Sequence, residues 1–375
     1  MKKKSGFTLV EVIIAMAVTM IAMAAAVLLF RDSTKANNSV TQTSDMSDNL
    51  RAGLNLVVQD LIQTGTGIPT GGISIPNTVN AAGCNIGRPV NRPPTVLNNV
   101  FQGPNTAHKG CNVILPAIEP GPDLGPTVTS PDGTSGPKSD IITIMYADNT
   151  LSLVQKAING ATCPAGSIAA DGSTITFDPR AGCATLGAAG IPVNPGDLLM
   201  IYNANQPNGI LQTVTSVAGQ TLNFAAGDAF NLNGRSTTET AGTIKQLQNA
   251  DGTYPPTSAT RVWMVTYYLD ATTDANHPML MRAVNFNTPQ PVAETLENLQ
   301  FAYNLADGTK PAPVNQPAVP TVPAPTGDSE NQIRSVNVYM GARSTTSAAN
   351  PGKYARTNLA TQVALRSMAY FNTYK

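Results

Sequence analysis

The chain has 375 residues, 12% of them charged, and its 23 basic side chains equal its 23 acidic ones, so the formal net charge is zero. With no basic excess, the composition excludes an electrostatic nucleic-acid binder. Twenty-nine prolines and 31 glycines exclude a helical bundle and point to a turn-rich β domain.

The chain opens on Lys2, Lys3 and Lys4, before an apolar run from Phe7 to Phe30 in which Glu11 is the only charged side chain and Thr8 and Thr19 the only hydroxyls. At about 1.5 Å per residue this run makes a helix of roughly 36 Å, enough to cross a bilayer core with some tilt. The lysines stand before it, whereas Arg31, Asp32 and Lys35 after it carry little net charge. That bias places the first residues in the cytoplasm and the rest outside. A secretory signal cleaved after Ala24 and a plain single-span anchor compete for this segment. The run is long for a signal peptide, and a plain anchor gives no reason for an acid inside the apolar stretch.

Gly6 is a small-residue cleavage point, and a cut there gives Phe7 a free ammonium four residues before Glu11. In a stack of staggered copies, one amine can meet a neighbour's carboxylate; such a dry pair sets alignment more than stability. The segment Ser5-Gly6-Phe7-Thr8-Leu9-Val10-Glu11 resembles the class III prepilin signal of type IV pilins and type II secretion pseudopilins. The resemblance implies cleavage by prepilin peptidase between Gly6 and Phe7, N-methylation of Phe7 and docking through Glu11. Removing the leader lysines leaves 20 basic against 23 acidic side chains, a mature charge of about −3.

Beyond Arg31 the helix continues with an amphipathic pattern. Val40, Met46, Leu50, Leu54, Val57, Val58 and Leu61 form the apolar stripe, with Gln42, Asp45, Asp48, Asn49, Arg51, Gln59 and Asp60 between them. Gly65, Gly67 and Pro69 stop it, so one helix is predicted from about Phe7 to about Thr64, roughly 85 Å long.

Residues 66–139 are loop-rich, and Cys84 and Cys111 lie there; Cys163 and Cys183 come later, in the body. All four lie outside the apolar segment and so in an oxidising compartment. None forms a Cys-x-x-Cys pair and there are only two histidines, which argues against zinc. Three disulfide connectivities are open; Cys84 with Cys111 and Cys163 with Cys183 is favoured because each closes a modest loop.

From residue 140 onward, short β-branched and aromatic runs alternate with turn residues. Strands are predicted over 140–146, 151–154, 174–177, 197–202, 209–217, 221–224, 261–269, 279–284, 296–303, 335–340 and 362–369. Asp171-Gly172 and Asp251-Gly252 read as turns. The 261–269 run is apolar on both faces, as a central covered strand would be, and it holds the single Trp263. Residues 309–327 carry six prolines and form an extended insertion unable to pair in a central sheet.

Catalytic motifs are absent: no Gly-x-Ser-x-Gly elbow, no phosphate-binding loop, no His-Glu-x-x-His, so an enzyme is not expected. Glu294 and Glu297 read as the solvated entrance to a strand. Asp270, Asp274 and Asn276 are oxygen-rich without EF-hand spacing, and turn chemistry accounts for them better than Ca²⁺. No cofactor is implied.

Scattered body segments, Ser139-Asp140-Ile-Ile-Thr-Ile, Gly196-Asp197-Leu-Leu-Met-Ile, Val265-Thr-Tyr-Tyr-Leu269, Val292 to Leu299, Ile333 to Val338 and Asp60 to Gly65, are similar to the PilW family of minor pilins. That likeness implies an α+β, pilin-like fold: a long N-terminal helix, transmembrane in its first half and amphipathic in its second, packed on an antiparallel sheet. The expected division is a leader at 1–6, an assembly helix at 7–30, its amphipathic half at 31–65, the loop region at 66–139 and a β body at 140–375. The implied role is a minor subunit of the type IV pilus, held in the inner membrane with its body in the periplasm before entering the surface fibre. Its implied partners are prepilin peptidase, other minor and major pilins, the inner-membrane assembly machinery and lipid. A type II secretion pseudopilin, or a membrane-anchored adhesin or enzyme, is the alternative.

Overall fold

The computed structural model describes residues 8–69, 71–79, 85–97, 99–101, 114–152, 167–177, 186, 192–234, 239, 242–306, 330–345 and 354–368. Gly6, Phe7, the four cysteines and the 309–327 insertion lie outside the described residues.

One helix, Leu9–Gln63, runs unbroken for 55 residues, about 82 Å at the standard rise. Thr8 caps its start and Glu11 supplies the acid of the first turn. At its end the Thr64 N–H bonds Leu61 O, and the chain reverses through Gly65 and Gly67, both at positive φ where glycine is the unstrained choice. The helix has two environments. No described residue before Met46 is buried, and from there Met46, Leu50, Leu54, Val57 and Leu61 bury one stripe against the sheets. Three positions correct the predicted stripe. Val40 is 69% exposed because the body begins only at Met46. Gly53 and Asp60, by contrast, are buried.

The largest sheet has nine strands and centres on Ser258–Asp270. That strand pairs antiparallel with Ile141–Ser152 over most of its length, with Leu198–Asn203 along its first half and with Met279–Val284 along its second. Its burial on both faces is what the doubly apolar sequence required. Trp263 is the exception: it is only half-buried, with the Arg261 guanidinium 4.3 Å above its ring. The sheet is mixed, not purely antiparallel, because Ile73–Ser74 joins Gln206–Thr213 in parallel.

A three-stranded antiparallel sheet, Leu296–Leu305, Ile333–Arg343 and Arg356–Ala364, packs with the first sheet around the helix. A small four-stranded sheet covers a second core built on Phe177, Leu222, Phe224 and Ile244. Together the elements make an α+β fold.

Several predicted strands keep their place but change their ends. The 209–217 run splits into Gln206–Thr213 and Ser216–Ala218. The 151–154 run is, as far as it is described, the tail of Ile141–Ser152. The last strand is Arg356–Ala364 and not 362–369; its polar, alternately exposed sequence hid its first residues, and Arg366–Met368 turn into a 3-10 helix. Gln290–Glu294, unpredicted because it contains Pro291, is an edge strand. In the loop-rich region the described elements are strands of two to four residues and one 3-10 turn.

Candidate functional site

The chemistry that the sequence points to sits at the first turn of the helix. Thr8 has extended φ/ψ and its hydroxyl accepts the Glu11 N–H at 3.4 Å. Glu11 Oε2 reaches back to accept the Thr8 N–H at 3.0 Å and the Thr8 hydroxyl at 2.9 Å. This reciprocal arrangement is a capping box, and Thr-x-x-Glu is its sequence signature. The signature is present in the sequence, where the docking expected of Glu11 overshadows its local meaning. From sequence Thr8 counts only as a hydroxyl; the structure makes it the partner of Glu11.

Among the described residues, nothing covers the apolar first half of the helix that the box heads. Val10, Ile13, Met16, Ile21, Val27 and Phe30 are all well exposed, and the helix is long and apolar enough to cross a membrane, with none of its apolar window buried. An acid at the head of such a helix needs a hydrogen-bond partner. The capping box supplies one within the same turn. Thr19 and Thr34 likewise donate their hydroxyls to Ala15 O and Phe30 O, so they expose no unpaired donor.

The second half of the helix fixes the body to this apolar rod. Asp60, 4% exposed, takes Arg282 Nε at 2.7 Å and the Tyr267 hydroxyl at 2.6 Å. Arg282 and Tyr267 are cross-strand neighbours, so one helical carboxylate ties down two adjacent strands. For Arg282, burial alone lowers the affinity for its proton, but the bonds and charge of Asp60 outweigh it and push the pKa up. The Tyr267 hydroxyl is pushed up by burial and then by the Asp60 charge. About two turns earlier, Gly53 lets the helix approach so closely that a Cβ there would stand 2.9 Å from Ala293 Cβ.

The remaining candidates do not assemble into a catalytic centre. Glu294 is exposed on an edge strand, as expected. Glu297 is not at a solvated entrance: its Oε1 lies 3.1 Å from Nε of the buried Arg343 and its Oε2 2.8 Å from Arg356 Nε. Arg356 also reaches Asp132 Oδ2 at 2.8 Å, completing a structural ion-pair network. Asp270 accepts from Thr272 and Thr273, and Asp274 from Asn276 N–H and the His277 ring, so both carboxylates serve their own turns. Among the described residues no group of His, Cys, Asp and Glu could hold a metal ion.

Residues 1–27 match the family model of the prokaryotic N-terminal methylation motif. No curated protein matches the chain, and no solved structure matches it. The N-terminus is therefore that of a prepilin-type substrate, the kind processed by prepilin peptidase and assembled with pilins. Its apolar helix fits anchoring in the inner membrane before incorporation into a pilus.

Proposed function

We propose that the chain is a minor structural subunit of the type IV pilus, similar to the PilW family, with no enzymatic activity of its own. Cleavage between Gly6 and Phe7 removes the three leader lysines, which hold the start of the helix on the cytoplasmic side, and leaves an N-methylated Phe7. Glu11 then exchanges its partner in the Thr8 capping box for the amine of a neighbouring subunit. The apolar half of the helix passes from lipid into the fibre core, while the β body faces outward.

The observation that carries this reading is the exposed apolar first half of the helix, headed by a single capped acid within the segment that matches the methylation motif. An apolar rod of this length must be covered by lipid or by other rods. The size of the body favours a minor over a major subunit, since a fibre made only of such bodies would be bulky.

The test is the mass of the N-terminal peptide from native membranes and from sheared surface fibres. A peptide beginning at N-methylated Phe7 in both fractions is expected. A start at Met1 or after Ala24, or absence from fibres, overturns the reading, and enrichment in a secretion pseudopilus instead of the pilus would transfer it to the type II system.

A further inference from the structure

The two outer strands that lie beside the helix are built differently. Gln290–Glu294 is short, carries Pro291 and the charged Glu294, and its ladder with Met279–Val284 shifts register between Leu280 and Met281. Proline, charge and a bulge are the usual protections of a sheet edge. Arg356–Ala364 has neither proline nor bulge and, past its first residue, no charge. It is nine residues long, pairs with Ile333–Arg343 without one register shift, and contains no proline or lysine. Its only charge, Arg356, stands at the first position and is engaged by Glu297 and Asp132. Asn358, Ala360, Gln362 and Ala364 are exposed, and among the described residues the strand pairs on one side only.

We propose that this edge is a docking site for an extended, uncharged segment of a different subunit of the same fibre, which adds to the sheet as a fourth strand. The inference rests on the reading of the chain as a fibre subunit. Main-chain hydrogen bonds supply the affinity of such an addition, and the small uncharged row from Asn358 to Ala364 admits a partner without charge. The direction of the strand excludes a two-fold antiparallel pairing with the same strand of a second copy. Gly53 approaches Met340, whose register partner is Leu359, and the Thr66 hydroxyl lies 2.9 Å from that of Ser367. Strand and helix therefore run the same way. A two-fold antiparallel pairing would turn the second helix end over end and send the two Leu9–Phe30 segments in opposite directions, which one membrane or one fibre core forbids.

The experiment places a photo-cross-linking benzoylphenylalanine at Ala360, and separately at Val292 on the protected edge, in the full-length chain in producing cells. The expected result is an adduct at 360, in the fibre fraction, with a strand of another protein bearing the same methylation motif, and none at 292. The pair Ala360→Lys with Ala364→Lys is expected to lower incorporation about tenfold while Phe7 is still freed by cleavage and methylated, whereas Gln290→Lys leaves it unchanged. An adduct only to residues 369–375 of the same chain, an adduct between two copies, or normal incorporation of the lysine pair overturns the proposal. Loss of the methylated Phe7 from the unsubstituted chain would instead defeat the underlying reading, and with it the fibre partner.

Discussion

Asp60 on the helix and Arg282 on the sheet form a bidentate ion pair, with Nε 2.7 Å from Oδ2 and Nη2 3.3 Å from Oδ1. Because the carboxylate is buried, removing it leaves the guanidinium facing a desolvated gap. Asp60→Ala is expected to destabilise the body by about 3 kcal/mol, and Tyr267→Phe by about 1 kcal/mol. Denaturant unfolding of the full chain in detergent checks this, with the exposed Asp48→Ala as control. Equal effects of Asp60→Ala and Asp48→Ala would show that the pair does not hold the helix.

Gly53 tests the close approach of helix and sheet. Alanine there gains helix propensity of up to about 1 kcal/mol, but its Cβ meets Ala293 Cβ at 2.9 Å. Neither group can rotate away, so overpacking by roughly 1 to 3 kcal/mol outweighs the gain. Gly53→Ala should lower the unfolding midpoint. A rise would mean that the helix can slide on the sheet without loss.

Glu11→Gln separates the capping role from the proposed docking role. Glutamine at this position can still accept the Thr8 N–H, so the helix start survives, but the charge is lost. The expected outcome is normal cleavage and methylation with fibre incorporation reduced at least tenfold, read by immunoblotting of sheared fibres. Incorporation at the native level would assign Glu11 to the cap alone.

Two buried carboxyls set an expected pH dependence. Burial pushes Asp140 up from 3.8 to about 6, although it accepts the N–H groups of Phe301 and Asp123. Burial, and then the charge of Glu330, push Glu119 up as well, against the opposing pull of Arg92. A carboxyl with a raised pKa in the folded state holds its proton more tightly there than in the unfolded chain. Its contribution is therefore complete below the ordinary carboxylate range and is lost as the pH rises, through about 6 for Asp140 and further up for Glu119. The thermal midpoint should be higher at pH 5 than at pH 8, and Glu119→Gln should reduce that difference. A midpoint rising steadily from pH 5 to 8 would contradict it.

Between the apolar rod and the body, residues 31–45 form a helix with no buried residue and a composition of Asn, Ser and Thr that favours helices weakly. Amide hydrogens there are expected to exchange about tenfold or more faster than those of residues 50–63 in the full chain. Equal protection would show that something covers this stretch.

The elements legible in the sequence were those fixed by a local pattern. The end of the helix near Thr64, the turns at Gly172 and Gly252 and the central strand, predicted over 261–269 and found at 258–270, arise from periodicity, φ requirements and continuous apolarity, each contained within a few residues. The capping box was equally local, since Thr8 and Glu11 are three residues apart and their bond needs no other part of the chain, but from sequence Thr8 counted only as a hydroxyl. Strands with mixed polarity were placed poorly. The first residues of Arg356–Ala364 and the whole of Gln290–Glu294 are strands only because a neighbour offers a ladder.

By itself the sequence determined that this chain has a membrane-length apolar helix with one acid at its head, a prepilin-type start and a β-rich body, because composition, period and spacing are properties of neighbouring residues. Only the tertiary structure decided that Asp60 is buried and Val40 is not, that Gly53 is a point of contact, that Glu297 belongs to an ion-pair network and that, among the described residues, Arg356–Ala364 pairs on one side only. Each of those outcomes depends on a partner tens to hundreds of residues away, as Asp60 depends on Arg282 and Glu297 on Arg343 and Arg356. Burial and pairing are set by what the fold brings alongside, and local sequence carries no record of that.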